Sequence, residues 1–258
     1  MPLYVYGLMR AQDGARAVEA LNGQPASRVL ESVEHEGLCA LVSSVAPGDL
    51  KLRRESALAH TDTLQAAFDH GPVLPVRFGT VLPDAAALER ELLAPRATAL
   101  LARLEALEHL TEMQVKVSYL EEQLLGSILA ADPPLARRAS RIRNLPPEAT
   151  HFDRINLGEA IHQAVQVRRE EDSRRLIDEL SPLAVAVSVR EPPHERAVLN
   201  ASFLVARERL EAFDSEVERL SQEAAGTMSF RLIGPMPAHS FVEGQWEARA
   251  AHGSSQWA

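Results

Sequence analysis

The sequence predicts an α+β protein made of two successive units, each with the element order βαββαβ. Short runs rich in β-forming residues, such as LYVYGL at 3–8, alternate with longer stretches whose apolar residues recur at three-to-four spacing. The element order of residues 1–80 recurs over residues 112–233, although the two halves share almost no sequence. This order is the ferredoxin-like plan, in which two helices cover one face of a four-stranded antiparallel sheet. The length of 258 residues suits two such domains.

The first unit is predicted from the first 80 residues. Its strands are expected at residues 3–8, 29–34, 37–45 and 73–78, and its helices at residues 14–21 and 53–70. Asp13 is the candidate N-cap of the first helix, and Asn22-Gly23 is expected to end it. The run His35-Glu36-Gly37 predicts a tight hairpin between the second and third strands.

The second unit is expected to carry a long helical pair as an elaboration. A helical stretch over residues 85–110 leads into it, and Pro95 is expected to make it either a kinked helix or two consecutive helices. Its strands are expected at 112–119, 183–189, 196–206 and 228–233, and its helices at 120–131, 152–180 and 207–225. Pro133-Pro134 is expected to interrupt the first helix, and Gly234-Pro235 to stop the last strand. The predicted domains are therefore 1–84 and 85–243, followed by a flexible tail at 244–258.

The composition excludes several classes of function. The 36 acidic residues outnumber the 27 basic ones, which gives a net charge of −9 and argues against a protein that neutralises nucleic-acid phosphates. Cys39 is the only cysteine, so no intrachain disulfide is possible. The N-terminus MPLYVYGLMR lacks a secretory pattern, and the longest apolar runs are shorter than a membrane span. A cytoplasmic location without membrane insertion is expected.

The sequence carries no recognisable catalytic, cofactor or metal motif. It lacks GxGxxG, GxxxxGK[ST], GxSxG and HExxH, and no two histidines stand at i,i+4 on one helix. Cys39 sits within an apolar strand and is expected to be buried and inert. His60 and His70 flank the second helix, where solvated or capping histidines are expected. We therefore expect no enzyme, no cofactor and no metal.

The run PVRFGT at 75–80 is the most unusual local feature. Arg77 stands between two apolar residues, and either it points to solvent at a strand edge or a carboxylate holds its guanidinium at the domain junction. Tyr4 and Tyr6 share one face of the first strand, but the third strand has no aromatic residue, so RNA binding by base stacking is not expected. The run RRASRIR at 137–143 is either a polar helix end or an anion- or partner-binding patch.

Five stretches together resemble one known family. They are YVYGL at 4–8, VLPVRFGTVLPD at 73–84, GEAIHQAV at 158–165, VLNASFLV at 198–205 and FRLIGPMPAHSFV at 230–242. In these stretches the chain resembles the gas vesicle protein F/L family (GvpF/GvpL) from end to end. The last stretch departs from the family pattern, since Met236, Ala238 and His239 stand where an aromatic or apolar residue, a proline and a tyrosine are usual.

The resemblance implies a non-enzymatic accessory protein of gas vesicle assembly. Such a protein would bind the small hydrophobic shell protein and other accessory proteins at the gas vesicle, and would have a two-domain α+β fold with a ferredoxin-like N-terminal part. We expect the partner-binding residues to be Tyr4, Tyr6, Arg77 and Phe78. The alternative is a small-molecule-sensing regulatory module built on paired ferredoxin-like units. The sequence leaves the oligomeric state open.

Overall fold

Two antiparallel sheets flanked by helices form the protein, which confirms the α+β class. The computed structural model describes residues 1–23, 29–46, 53–143, 145–146 and 150–242. The chain groups into two compact units, residues 1–113 with the chain from Gly234 onward, and residues 114–233. The predicted division at residue 84 stays a prediction, and the predicted tail at 244–258 lies outside the described residues.

The first sheet has the strand order β2-β3-β1-β4, and β5 also pairs with β1. Its strands are β1 (Leu3–Arg10), β2 (Glu31–His35), β3 (Leu38–Ser44), β4 (Leu74–Pro75) and β5 (Val81–Leu82). Helices α1 (Ala11–Asn22) and α2 (Arg54–Phe68) accompany it. The predicted hairpin is confirmed, because Glu36 (φ 46°) and Gly37 (φ 83°) adopt the left-handed conformation that tight hairpin turns need.

Helix α1 starts earlier than the sequence predicts. It follows β1 directly at Ala11, whose backbone N–H donates to the carbonyl of Gly37 at 2.8 Å, so no side-chain cap is needed. Asp13 is therefore not the N-cap; it is buried in the first turn and accepts a hydrogen bond from Arg16. The helix ends at Gly23 as predicted.

Helix α1 lies very close to β3 at one point. A Cβ added to Gly14 would stand 2.1 Å from the sulfur of Cys39, so only glycine allows this approach. Cys39 is fully buried there, which confirms that expectation, and burial raises the pKa of its thiol to about 12. The thiol therefore stays protonated at neutral pH and is a packing group.

Of the predicted strand at 73–78 only the short strand β4 forms, and a second short strand that was not predicted, β5, follows it; both pair with β1. Pro75 has no N–H to donate to a neighbouring strand, and Gly79 (φ 90°) turns the chain between the two pieces. Arg77 consequently lies in a turn between strands and not within a strand.

The second sheet has the strand order β7-β8-β6-β9. Its strands are β6 (Leu110–Tyr119), β7 (Ala186–Val189), β8 (Ala197–Ala206) and β9 (Met228–Met236). The remaining helices are α3 (Ala85–Leu88), α4 (Ala97–Ala106), α5 (Glu121–Ala131), α6 (Pro133–Arg143), α7 (His151–Leu180) and α8 (Leu210–Glu223). The segment from Glu89 to Arg96 joins α3 to α4 as irregular helical turns, which confirms the break predicted at Pro95.

One proline signal is confirmed and one is wrong. Pro133-Pro134 interrupts the helix as predicted, since α5 ends at Ala131, and it also begins helix α6, because a proline in the first turn forfeits no intrahelical hydrogen bond. Gly234-Pro235 does not stop the last strand, because β9 lies at the edge of its sheet and a proline is tolerated there.

The apolar face of α8 anchors the core of residues 114–233. Phe213, Val217 and Leu220 are buried as their spacing predicts, and the rings of Phe213 and Phe203 lie 5.3 Å apart. Leu176 and Leu180 of α7 are buried as well. Within the part of the chain that the structure describes, no helix has the length and apolar character needed to cross a bilayer.

Candidate functional site

The predicted partner-binding residues converge on one face of the first sheet. Tyr4 and Tyr6 lie on β1, where the register with β3 shifts between Val5 and Gly7, so Tyr6 sits at a bulge. A bulge re-aims the side chain that it carries. The two tyrosine rings meet edge to face at 4.8 Å, and both side chains are buried.

His60 of α2 lies in the middle of these aromatic rings. Its ring stacks on Tyr6 at 5.6 Å with an angle of 18°, and the edge of Phe78 approaches it at 5.6 Å. Its Nδ1 lies 2.8 Å from the hydroxyl of Tyr4. We call Tyr4, Tyr6, His60 and Phe78 the aromatic cluster.

The imidazole of His60 is held neutral. Burial lowers its pKa, and the charge of His239 lowers it further, whereas a hydrogen bond with the backbone of Val76 acts in the opposite direction. The cluster therefore contains no charge at neutral pH and packs as an apolar body.

Arg77 stands on a turn that the aromatic cluster supports. The Val76 N–H donates to the carbonyl of Tyr6 at 2.9 Å, and the Val5 N–H donates to the carbonyl of Thr80 at 3.0 Å. The Thr80 hydroxyl closes the turn by donating to the carbonyl of Arg77 at 2.7 Å. The backbone on both sides of Arg77 is thus tied to β1, while its side chain is exposed.

Of the two interpretations of Arg77, the solvent-exposed one is confirmed. No carboxylate pairs with its guanidinium among the residues that the structure describes. Tyr4 and Tyr6 are 3% and 5% exposed, so neither presents a surface to a partner, and Phe78 is half-buried against the same core. Their assignment as partner-binding residues stays a prediction, in which only Arg77 and the edge of Phe78 would make direct contact.

His60 is the residue that sequence reasoning missed. It was expected to be solvated or to cap the helix, but it is 6% exposed, whereas the apolar Leu58 two residues before it is 54% exposed. The stripe that α2 buries runs through His60, Leu64, Ala67 and Phe68. The spacing i, i+4, i+7 and i+8 from His60 was the available signal.

Apart from the aromatic cluster and the Arg77 turn, a concave region lies within residues 114–233. It is a groove of about 510 Å³, lined by Leu124 and Leu125 of α5, by Ile161 and Val165 of α7, and by His194, Glu195 and Arg196 of the loop before β8. Leu125 is about half exposed, so this groove is open along one side. Its lining is suited to apolar contact and offers few polar groups that converge on one point.

The titratable side chains do not assemble into a metal site. Among the described residues, no three His, Cys, Asp or Glu side chains are grouped so that they could hold a metal ion. The buried carboxylate of Glu112 accepts hydrogen bonds from the backbone N–H and the hydroxyl of Ser240, at 2.7 and 2.6 Å. This contact ties the segment after β9 to the start of β6.

Known sequences match this chain over nearly its whole length. The profile of the family described as "Gas vesicle synthesis protein GvpL/GvpF" matches residues 2–243. Gas vesicle protein F of a Streptomyces species is 36% identical over 249 residues, which cover 94% of this chain and 100% of that protein. Gas vesicle protein F1 of Halobacterium salinarum is 25% identical over 244 residues, which cover 93% of this chain and 92% of that protein.

Two solved structures share the fold. The crystal structure of GvpF from an Anabaena species superposes with a TM-score of 0.76 at 22% identity and covers 95% of this chain and 99% of that one. GvpF from Microcystis aeruginosa gives a TM-score of 0.70 at 21% identity, with 94% and 99% covered. At such identities the likeness is one of fold alone. The profile match and the Streptomyces relative establish the membership, and the chain belongs to the GvpL/GvpF family of gas vesicle synthesis proteins.

Proposed function

We propose that this protein is a non-enzymatic accessory factor that binds the small hydrophobic shell protein during gas vesicle formation. The contact surface is the turn that carries Arg77 and the accessible edge of Phe78. The protein acts in the cytoplasm, at the gas vesicle. Family membership supports a role in gas vesicle synthesis, and the choice of partner and surface is our proposal.

The observation that carries the proposal is an exposed arginine on a turn whose backbone is fixed. Hydrogen bonds from Val5, Val76 and Thr80 hold the turn, and the aromatic cluster fills the space behind it. A guanidinium presented in this way loses little backbone freedom on binding. Its planar donors suit a carboxylate of the partner, and Phe78 adds apolar contact beside it.

A non-enzymatic role is supported by how the buried titratable groups are used. Asp13 pairs with Arg16, His60 bonds with Tyr4, and Glu112 accepts from Ser240. Each group therefore has a structural partner inside the fold. A catalytic acid or base must instead be able to reach a substrate.

We also propose that both sheets follow the ferredoxin-like arrangement. The strand orders β2-β3-β1-β4 and β7-β8-β6-β9 support it, because each is the order expected when a βαββαβ unit folds into one antiparallel sheet. The helices α5, α6 and α7 then occupy the position of the first crossover in the second sheet.

The test is co-expression with the shell protein followed by affinity capture of the complex. We expect the unsubstituted chain to retain the shell protein. Arg77→Ala should reduce the retained shell protein about tenfold, the effect of losing one charge-assisted contact. Arg77→Lys should restore only part of it, because lysine lacks the planar fork.

Arg90→Ala is the matched control, because Arg90 is an exposed arginine of the same compact unit and pairs with its neighbour Glu91. Retention that is equal for Arg77→Ala and the unsubstituted chain, with both folded by circular dichroism, would disprove the proposed surface. No retention by any chain at low or high salt would disprove the proposed partner.

A further inference from the structure

The first part of helix α7 is poorly covered by the rest of the chain. From His151 to Arg169 none of its side chains is fully buried, whereas Leu176 and Leu180 near its end are. Helices α5 and α6 pack along this first part. We call α5, α6 and residues 151–169 of α7 the helical arm.

The helical arm exposes large apolar side chains. Phe152 is 79% exposed, Leu125 48% and Ile155 45%. Exposed side chains of this size are ordinary when scattered, but a cluster on one element marks an interaction site. The groove between Leu124 and Leu125 of α5 and Ile161 and Val165 of α7 belongs to the same element.

Gly158 lies on the same stripe of α7 as the two α7 residues that line the groove. It lies three residues before Ile161 and seven before Val165, so the three positions form one stripe of the helix. A Cβ added at Gly158 would meet nothing within 4 Å. Glycine within a helix is unfavourable, and no neighbour in this chain requires it, so the site leaves room for another backbone to approach.

The helical arm carries positive charge in an acidic protein. Between Asp132 and Arg169 there are seven arginines and four acidic residues, although the chain as a whole has a net charge of −9. Four of the arginines lie on α6, at positions 137, 138, 141 and 143, and none of them pairs with a carboxylate of the described residues. At the other end of α7, in contrast, Arg175 pairs with Glu179 and Glu223.

These charges act on the groove. Helix α6 packs against both α5 and α7, which form the walls of the groove. Packed helices lie about 8–10 Å apart, which is comparable with the screening length of roughly 8 Å at physiological salt. The residues that line the groove include none of α6, so the α6 arginines act on an approaching helix through their longer-range field, which attracts an acidic partner and repels a basic one.

We propose that the helical arm is a docking site for an acidic amphipathic helix of a partner protein, laid along the groove between α5 and α7. The apolar stripe of the partner contacts Leu125, Ile161 and Val165, and its acidic residues are attracted by the field of the α6 arginines. Recognition of a helix in an apolar groove is a common mode of peptide binding. This site is separate from the Arg77 turn and does not depend on the function proposed for it.

A second copy of the chain supplies this helix poorly. Among the described helices α8 is acidic and amphipathic, but it already buries Phe213, Val217 and Leu220 in its own core. Its exposed face offers carboxylates without an apolar stripe. We therefore take the occupant to be a segment of another protein, and a second copy is one outcome of the test.

The test measures binding of a labelled synthetic helix to the full chain by fluorescence anisotropy. The peptide has about 18 residues, with leucines at i, i+3, i+4 and i+7 spacing and glutamates elsewhere, and its control has lysines for the glutamates. We expect the acidic peptide to bind at least about tenfold more tightly than the basic one. Its affinity should fall several-fold when the salt rises from about 50 to about 300 mM.

Two pairs of substitutions separate the apolar and electrostatic contributions. Leu125→Ser with Ile161→Ser should weaken binding of the acidic peptide by about tenfold or more. Arg137→Glu with Arg141→Glu should weaken it several-fold and reduce its salt dependence. Arg90→Glu, which changes an exposed arginine of the other compact unit, should leave the affinity unchanged. Circular dichroism and thermal melting verify that each variant is folded.

Three results would overturn the proposal. The first is equal affinity of the acidic and basic peptides, and the second is absence of binding by the acidic peptide at low salt. The third is sedimentation that shows a dimer of the chain which the Leu125→Ser and Ile161→Ser substitutions dissociate, because the groove would then hold a second copy. Each can occur whether or not the shell protein binds at Arg77.

Discussion

The Arg77 turn and the helical arm are both surfaces, but what lies behind them differs. Behind the turn, the aromatic cluster is buried and its polar atoms are bonded, so that one exposed guanidinium stands on a fixed base. Behind the exposed side chains of the helical arm the core is smaller, since residues 151–169 include no fully buried side chain and the buried apolar residues of the arm are Ile128, Leu135 and Ile142 of α5 and α6. The turn offers one positioned charge, and the arm offers apolar area.

The difference indicates how each surface could bind. A fixed charged group can select a partner by geometry, because a guanidinium on a held backbone needs its carboxylate at one position. A weakly packed helical surface instead gains free energy by removing its own apolar area from water. Substitutions behind the turn should therefore change folding, whereas substitutions on the arm should change binding and leave folding almost intact.

The largest change in the free energy of unfolding is expected from a substitution behind the Arg77 turn. Tyr4→Ala removes a buried aromatic ring and the hydroxyl that bonds with His60, and we expect a loss of about 3–5 kcal/mol in the free energy of unfolding. Phe152→Ala, which removes an equally large but exposed ring from the arm, should change it by less than about 0.5 kcal/mol. Denaturant unfolding measures both values. Similar losses for the two variants would remove the contrast between the regions.

Acid pH should lower the stability that the aromatic cluster contributes behind the Arg77 turn. Burial lowers the pKa of His60, so the unfolded chain binds a proton more readily than the folded one. The stability contributed by the neutral ring is present above the unfolded pKa of about 6.5 and is lost as the pH falls, by up to about 1.4 kcal/mol per pH unit. We expect His60→Asn to show a flatter pH dependence of unfolding between about pH 7 and 5.

His70→Asn is the control for that experiment, since His70 lies beyond the end of α2 and is only partly buried. It should keep the slope of the unsubstituted chain. A slope that is the same for His60→Asn and His70→Asn would show that His60 is not the group responsible.

Most of the element order could be predicted from the sequence, because period-2 and period-3.6 patterns report burial directly. The stripe of Phe213, Val217 and Leu220 and the glycine that ends α1 are examples. The prolines were harder to interpret. Pro133 begins a helix and Pro235 lies within an edge strand, since the effect of a missing N–H depends on whether a neighbour needs it.

The candidate sites were less predictable, because they depend on contacts that are distant in sequence. Arg77 was identified from its unusual local run, and its exposure was one of two open interpretations. His60 was missed because polar side chains are usually placed in solvent, whereas here Tyr4 supplies its hydrogen bond from 56 positions away. The groove was not predicted at all, since α5 and α7 meet only in the folded chain.

A smaller loss in the free energy of unfolding is expected for a substitution where α7 leaves the arm and joins the core. The hydroxyl of Tyr119 is 2.7 Å from a carboxylate oxygen of Asp172 on α7, so Tyr119→Phe should cost about 1 kcal/mol in the free energy of unfolding. Burial and this carboxylate raise the pKa of Tyr119. The neutral phenol therefore stabilises the fold below about pH 10, and this contribution is lost at higher pH. Unfolding measured on both sides of pH 10 should show a smaller alkaline loss for Tyr119→Phe.

The smallest expected effect is a gain in the free energy of unfolding, where the preceding substitutions cause a loss. Because a Cβ at Gly158 meets nothing and the backbone there is helical, Gly158→Ala should raise the free energy of unfolding by about 0.5–1 kcal/mol. Gly234→Ala is the contrasting control. Its φ is 139° and its Cβ would lie 2.8 Å from the carbonyl oxygen of Glu112, so it should destabilise the fold.

The same substitution tests why a glycine stands on the arm. If a partner backbone approaches α7 at this point, the methyl group of Gly158→Ala should weaken binding of the acidic peptide even though the chain has become more stable. Gly126→Ala on α5 also meets open space, but Gly126 does not lie on the α7 stripe that carries Ile161 and Val165, so it should stabilise the chain without changing the affinity. A gain in stability with unchanged affinity at both positions would show that Gly158 leaves no room that a partner uses. The open surface of the arm would then have no role in binding the peptide at Gly158. The helical arm and the Arg77 turn would differ in how much their residues stabilise the fold, and not in how they bind a partner.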